Sequence, residues 1–252
     1  MLQTAVEAAQ RAGQVIAEHY PAGRTLTSKG GRDFVTDTDT AAEAIILDLV
    51  RARFPDHTIL SEETGGSGIS RGYTWVVDPL DGTTNYAHRL PVFAVSIGVL
   101  EGGEPLIGVI RDPLREQTFV AERGRGARLN GVPVHVSQVA RLGHAMIGMD
   151  WGYTDDARKQ VLARLERVTP RCGVPRTLGS ATLALAYVAA GWMDAYFHVT
   201  LGPWDTAAGM LLVAEAGGRC TTLEGDPYRV DLPGCLATNG LIHEELLAVM
   251  RV

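Results

Sequence analysis

The stretch Tyr73-Thr74-Trp75-Val76-Val77-Asp78-Pro79-Leu80-Asp81-Gly82-Thr83-Thr84 runs from β-branched and aromatic residues into two carboxylates three positions apart. Its first five residues read as a buried strand, which delivers Asp78 at its end. Pro79 cannot donate to a strand ladder, so the strand is expected to stop there. The turn that follows would aim Asp78 and Asp81 outward. Gly82 lets backbone come close to a ligand because it has no Cβ. If residues 82–88 open a helix, its free N–H groups make an anion site beside the acids. Carboxylates for a hard cation next to amides for a phosphate are what phosphoryl chemistry needs. The same string also fits a plain turn with a helix cap, since Asp, Pro and Gly are turn residues.

Outward from this stretch, three more acidic groups sit where secondary structure begins or ends. Thr58-Ile59-Leu60 reads as a short strand that leads into Glu62 and Glu63 and then a glycine-rich loop, 65–72. Trp204-Asp205 opens an apolar helix, and Asp33, Asp37 and Asp39 precede another. Each has an ordinary explanation as a solvated acid or an N-cap. Together they place four acidic clusters at strand ends or helix starts, which is where open α/β sheets collect ligands.

The remaining pattern sets the frame. Leu2, Val6, Ala9, Ala12, Val15 and Ile16 recur at helical spacing and predict a helix over 2–19, stopped by Pro21. Thr40 and Glu43 fit a capping box, so the second helix is expected to begin near Thr40 and to end at Pro55. Strands follow at 92–100, 105–111 and 117–121, with a hairpin turn at Asn130-Gly131. The second half alternates: strand 145–149, helix 154–168, helix 180–190, strand 193–198, helix 204–216, strands 219–223 and 235–237, and a last helix over 241–251. Helices and an antiparallel sheet followed by alternating strand and helix predict an α/β (α+β) fold of two packed lobes. A break near 138–145 gives lobes 1–140 and 141–252.

Composition narrows the class. The 252 residues can bury a substantial core, and the 46% hydrophobic and 21% charged content is that of a globular protein. A net charge of −6 argues against nucleic acid or an anionic membrane as partner, and requires cations if a phosphate is to enter an acidic site. Cys172, Cys220 and Cys235 are widely spaced and form no CxxC, which fits reduced thiols in the cytoplasm. Glu7 and Glu18 interrupt the N-terminal apolar pattern, so it does not read as a signal peptide, and no apolar run reaches the roughly 20 residues of a membrane span.

With these residues in place, the chain resembles the inositol monophosphatase family of Mg²⁺-dependent, lithium-sensitive phosphatases. One family signature is similar to Trp75-Val76-Val77-Asp78-Pro79-Leu80-Asp81-Gly82-Thr83-Thr84-Asn85-Tyr86, a second to Trp204-Asp205-Thr206-Ala207-Ala208-Gly209 with Glu215-Ala216-Gly217-Gly218. Asp33 to Asp39, Glu62-Glu63 and Gly124-Arg125-Gly126-Ala127 fall in the expected order. The resemblance implies a layered αβαβα sandwich, a homodimer, and two to three Mg²⁺ ions, with Mn²⁺ as an alternative. It assigns Glu62, Asp78 and the Leu80 carbonyl to one ion, and Asp78, Asp81 and Asp205 to another. Glu62 and Glu63 would help hold a third. Asp39 and Thr83 would orient the attacking water, with Glu63 also counted as catalytic. The amides of Gly82 and Thr83, with Thr84 beside them, would receive the phosphate. The implied activity is hydrolysis of a small phosphorylated metabolite without a covalent intermediate, as by an inositol-1-monophosphatase. The alternatives are fructose 1,6-bisphosphate, histidinol phosphate or 3′-phosphoadenosine nucleotides as substrate, or a regulatory role through protein or RNA partners.

Substrate choice lies outside the metal motif. Gly179-Ser180-Ala181 matches the family's small-residue substrate loop. Inositol-specific members carry an acid seven positions before the second-signature aspartate, where this chain has His198. A carboxylate accepts from two hydroxyls, whereas a neutral imidazole offers one acceptor and one donor, so the match to inositol phosphate is weakened at that position.

Overall fold

A computed structural model describes residues 1–20, 26–30 and 33–251. The chain opens with α1 (Leu2–His19), the hairpin strands β1 (Leu26–Gly30) and β2 (Asp33–Thr36), and α2 (Asp37–Arg53). The first large sheet is built from β3 (Thr58–Ser61), β4 (Gly65–Gly66) and β5 (Tyr73–Asp81), then, after the short α3 (Thr83–Ala87), from β6 (Ala94–Glu101), β7 (Glu104–Asp112), β8 (Gln117–Glu122), β9 (Ala127–Leu129) and β10 (Val132–Val134). The second half supplies β11 (Met146–Met149), α4 (Asp155–Val168), β12 (Val174–Arg176), α5 (Ala181–Ala189), β13 (Ala195–His198), α6 (Pro203–Glu215), β14 (Arg219–Thr221), β15 (Cys235–Thr238) and α7 (His243–Met250).

The first sheet has eight strands in the order β10-β9-β8-β7-β6-β5-β3-β4, and the second has five in the order β12-β11-β13-β15-β14. All pairs of the first sheet are antiparallel except β3 with β5. The second is parallel across β12, β11 and β13 and antiparallel beyond. The elements stack as αβαβα. Ala5, Ala8, Ala12 and Ile16 of α1 and Ile46 and Val50 of α2 pack against Trp75, Val77, Ile97 and Val99 on one face of the large sheet. Leu183, Leu185 and Leu212 of α5 and α6 fill the middle layer between Ile110 and Phe119 on one side and Tyr196 and Ala237 on the other. Val161, Val168, Leu246 and Met250 of α4 and α7 cover the far face over Ile147, Phe197 and Leu236. Strand periodicity explains the division: Val95, Ile97 and Val99 of β6 join the α1/α2 core, while Ser96 and Gly98 face α6.

The placement of α6 is fixed by three devices. Gly98 and Gly108 pair across β6 and β7. A Cβ on Gly98 would lie 2.7 Å from Ala207 Cβ, and one on Gly108 2.6 Å from the Ala208 carbonyl, so only two glycines let the helix lie this close to the sheet. Ser96 Oγ donates to the Trp204 carbonyl (3.2 Å) at one end. At the other, Glu215 accepts from the Gly124 and Gly126 amides, each at 2.8 Å, which accounts for the Gly124-Arg125-Gly126 motif.

Two expectations are corrected. Helix α2 starts at Asp37, not near Thr40: Thr36 is the N-cap and Asp39 its capping-box partner, and Glu43 instead accepts from the amide and hydroxyl of Thr64 (3.1 and 3.2 Å). Thr36 is the better cap because its backbone is extended (φ −116°, ψ 165°) where the helix begins. Nor does Pro79 end its strand. β5 runs on to Asp81, with a register shift between Asp78 and Asp81 against β6. Such an irregularity needs no N–H at the proline, which is where sheets tolerate one. Pro21, expected to stop α1, lies outside the described residues.

Candidate metal centre

The irregular end of β5 brings Asp78 and Asp81 together, and the first turn of α6 brings Asp205 to them. One carboxylate oxygen from each lies within 4.8 Å of the others. Asp78 is 1% exposed and Asp81 8%. Each acid is held by groups close to it in space. Leu80 N–H donates to Asp78 Oδ1 (3.0 Å). Asp81 Oδ2 accepts from the Ser180 hydroxyl and from the Thr182 amide (2.9 Å) and hydroxyl (2.6 Å). Asp205 Oδ2 accepts from the Gly202 amide (2.7 Å), the turn that Pro203 leads into the helix.

Burial pushes Asp78 well above the ordinary carboxylate range, and the charges of Glu62, Asp81 and Asp205 push it the same way. Burial also raises Asp81, against the opposing hydrogen bonds from Ser180 and Thr182. Like charges this close cannot all ionise without a cation between them. The pocket they share is lined by five acids, Glu62, Asp78, Asp81, Asp150 and Asp205, and Arg158 is the one lysine or arginine among its described lining residues. No protein cation forms an ion pair with Asp78 or Asp81 among the described residues. An all-oxygen set of carboxylates beside the Leu80 carbonyl fits a hard divalent cation.

Beside this cluster, Thr83 Oγ1 lies 2.9 Å from Asp39 Oδ1 and 3.0 Å from the Leu80 carbonyl, and donates toward them. Asp39, 1% exposed, is itself fixed by the Thr36 amide (2.9 Å) and hydroxyl, and burial raises its pKa against those bonds. The hydroxyl of Thr83 therefore gives its proton inward and keeps lone pairs for the pocket. Gly82 adopts the left-handed conformation (φ 88°) that caps α3, and a Cβ there would lie 2.9 Å from the Val92 carbonyl and 3.2 Å from that of Gly179.

The structure gathers most of the residues singled out in the sequence into this one cavity of about 630 Å³. Glu62, Asp78, Leu80, Asp81, Gly82, Thr83, Thr84, Gly179, Ala181, His198 and Asp205 all line it. Asp39, Glu63 and Ser180 do not: Asp39 is buried behind Thr83, Glu63 stands half-buried beside Glu62, and Ser180 is buried, capping α5 and bonding Asp81. His198 ends β13, 4% exposed, with Nδ1 accepting from the Thr200 amide (3.0 Å). Burial lowers it to about 4, so it is neutral, with its hydrogen on Nε2. Thr182 and Asp150 are not marked in the sequence reading. Thr182 carries no signal without the fold, whereas Asp150 carries one, because it follows a strand. Asn85, part of the first signature, donates from Nδ2 to the Val92 and Leu178 carbonyls, both at 2.8 Å.

Comparison with known proteins identifies the family and the fold. The model of the inositol monophosphatase family matches residues 1–251. The chain is 42% identical to Nus factor SuhB of Escherichia coli strain K12, over 100% of this chain and 96% of that one. It is 40% identical to inositol-1-monophosphatase of Synechocystis, over 97% of this chain and 86% of that protein. Among solved structures, the extragenic suppressor protein suhB from Bartonella henselae superposes with a TM-score of 0.93 at 34% identity, covering 99% of this chain and 97% of that one.

Proposed function

This chain belongs to the inositol monophosphatase family, and on that premise we propose that it is a Mg²⁺-dependent phosphomonoesterase acting on small phosphorylated metabolites. The observation that carries the reading is the meeting of Asp78, Asp81 and Asp205 within 4.8 Å beside the Thr83–Asp39 pair. Glu62, Asp78, Asp81, Asp205 and the Leu80 carbonyl would hold the cations, Mg²⁺ or Mn²⁺. Bound there, they supply neutralisation of the phosphate and Lewis-acid activation of water and leaving group.

The chain's own residues do the rest. Asp39 holds the Thr83 hydroxyl with its proton turned inward, so Thr83 Oγ1 accepts a hydrogen bond from a water and orients it towards phosphorus. The Gly82 and Thr83 amides, with Thr84, receive the non-reacting phosphate oxygens. Asp81 carries three hydrogen bonds from Ser180 and Thr182 and is held in one rotamer, so its position costs no reorganisation on substrate entry. Among the described residues, no cysteine or serine lines the cavity, in keeping with direct attack by water. An inositol-1-monophosphatase-like activity is the first choice of substrate, followed by fructose 1,6-bisphosphate, histidinol phosphate and 3′-phosphoadenosine nucleotides.

Phosphate release from a panel of inositol, sugar and nucleotide phosphates, with Mg²⁺ and with a chelator, tests the reading. Turnover should require the cation. Asp205→Asn should remove most of it, by about 10²-fold or more, while circular dichroism stays that of the wild type. A folded wild type that binds Mg²⁺ and releases no phosphate from any of them would sink the proposal. A second reading follows from the name of the 42% identical relative, a Nus factor: a regulatory role separate from hydrolysis. It expects that an Asp205→Asn chain restores whatever function deletion of the chain removes from its own host, which the enzyme reading alone does not.

A further inference from the structure

Helix α2 carries two buried acids one turn apart, and each is tied to a different loop beside the cavity. Asp39 is 1% exposed and Glu43 2%. Four residues apart, they share one face and lie about 6 Å from each other along the helix axis. Asp39 Oδ1 accepts from the Thr83 hydroxyl (2.9 Å). Glu43 Oε1 accepts from both the amide (3.1 Å) and the hydroxyl (3.2 Å) of Thr64. The helix itself is seated by Ala42, Ile46 and Val50 in the core it shares with Trp75 and Val77 of β5.

Thr64 closes the turn that carries Glu62 and Glu63 from β3 into β4. Glu62 lines the cavity, whereas Glu43 does not. The start of the turn is anchored by Glu62 N–H, which donates to the Val77 carbonyl (3.1 Å). Its end runs into β4, two glycines with φ of 72° and 155° that pair with β3 at two positions. Glycine leaves the backbone its widest freedom, and so short a hairpin is marginal by itself. The charges of Glu62, Asp81 and Asp205 all act against that of Asp78, which pushes the turn away from the cluster. Glu43 holds the end of the turn against that push. It does so through its hydrogen bonds: both donors fall on one oxygen, and no lysine or arginine pairs with Glu43 among the described residues.

We propose that Glu43 is a positioning residue for the cation: through Thr64 it fixes the turn of Glu62 to the same helix face that fixes Thr83. One turn of α2 then sets, in a single frame, the acid that would hold the ion and the hydroxyl that would orient the water. The role rests on the phosphatase reading and adds to it a residue that lies outside the cavity lining.

The test compares Glu43→Ala and Glu43→Gln in the full chain. Phosphate release is followed against Mg²⁺ concentration on the best substrate of the panel above, and amide hydrogen exchange is measured without Mg²⁺. In Glu43→Ala the Mg²⁺ concentration for half-maximal rate should rise about 10-fold or more, while kcat at saturating Mg²⁺ falls by about threefold at most. Exchange over residues 60–66 should quicken, and exchange over 82–86, which Asp39 holds, should not. Glu43→Gln keeps the oxygen that both donors use, so it should bring the Mg²⁺ dependence and the exchange back to within about threefold of wild type. A wild-type Mg²⁺ dependence in Glu43→Ala overturns the role and leaves the phosphatase reading standing. So does a Glu43→Gln chain as impaired as Glu43→Ala, because the bonds to Thr64 would then not be what counts. A wild type that turns over none of the panel sinks the role and the reading together. Should Glu43→Ala not fold, Thr64→Val removes one of the two bonds from the exposed side. Its half-maximal Mg²⁺ should rise by about threefold or more, and an unchanged value counts against the role.

Discussion

Thr83 has one hydroxyl proton and two acceptors, Asp39 and the Leu80 carbonyl, both within 3.0 Å. Removing that hydroxyl leaves Asp39 with one donor fewer and, under the proposed function, the cavity without the oxygen that would orient the water. Thr83→Ala should therefore lower kcat by about 10²- to 10⁴-fold, while Mg²⁺ binding measured by calorimetry stays close to wild type and Thr83→Ser restores much of the rate. A Thr83→Ala enzyme with wild-type kcat would remove Thr83 from the reaction. At this scale the sequence was readable where chemistry and local structure coincide. Asp81 ends β5, Asp78 stands three residues before it at the proline, and Asp205 lies in the first turn of α6; an acid in such a place stands out. Thr182 does not stand out, because its bond to Asp81 spans 101 residues and exists only after the two sheets have stacked. Ser180 was read as a substrate residue from its place in a small-residue loop. Its hydroxyl turns out to face Asp81, and no sequence pattern records which way a serine points.

Helix α6 shows how one element carries the site. It delivers Asp205 from its first turn while its small face, Ala207 and Ala208, rests on Gly98 and Gly108. A methyl group on Gly108 would meet backbone, which cannot rotate away as a side chain could. Gly108→Ala is expected to destabilise the protein by about 1–3 kcal/mol, a fall of about 2–10 °C in melting temperature by calorimetry. It should also weaken Mg²⁺ binding, because the helix must shift and Asp205 moves with it. An unchanged melting temperature would mean that the contact is looser than its geometry. The sequence disclosed most helices and strands through their apolar periodicity, to within a residue or two at many ends. It misled where two starts competed. Thr40 and Glu43 have the spacing of a capping box, but Thr36 and Asp39 have the same spacing one turn earlier, and the extended backbone at Thr36 decides between them. Pro79 misleads for a different reason: proline is excluded from regular ladders, and this strand ends in an irregular one.

On the scale of the whole molecule, the layers bury groups that must stay uncharged for the stack to close. His243 begins α7 against β14 and β15. The Thr221 hydroxyl gives its proton to the Thr222 carbonyl (2.8 Å), so its oxygen accepts from Nε2–H (3.1 Å), and the Thr238 hydroxyl donates to Nδ1 (2.9 Å). Burial, helped by Arg219 and opposed by Glu244, lowers His243 to about 4 from the usual 6.5. The unfolded chain thus takes up the proton first, and stability falls as pH drops through the window from 6.5 to about 4. The loss attributable to His243 is up to about 3 kcal/mol. Denaturant titrations at pH 7, 5.5 and 4.5 should show it, and a His243→Gln variant should lose part of the slope; an identical slope in the variant would assign the pH dependence elsewhere. The helix-rich start and the alternating second half make an α/β fold of two packed lobes legible, and the resemblance to the family implies the layers; the insertion of α5 and α6 between the sheets is not legible in the pattern itself, since periodicity shows which face is apolar but not what covers it. The carboxylate cluster has a further meaning for the life of the chain. β5 carries Asp78 and Asp81, and α6, far along the sequence, carries Asp205. A nascent chain that has emerged only as far as β10, or a product of proteolysis at the 135–145 connection, holds an incomplete chelate. Under the proposed function, cation capture would be postponed until synthesis has passed α6, and a truncated product would be unable to hydrolyse a phosphate ester however well its own sheet folds.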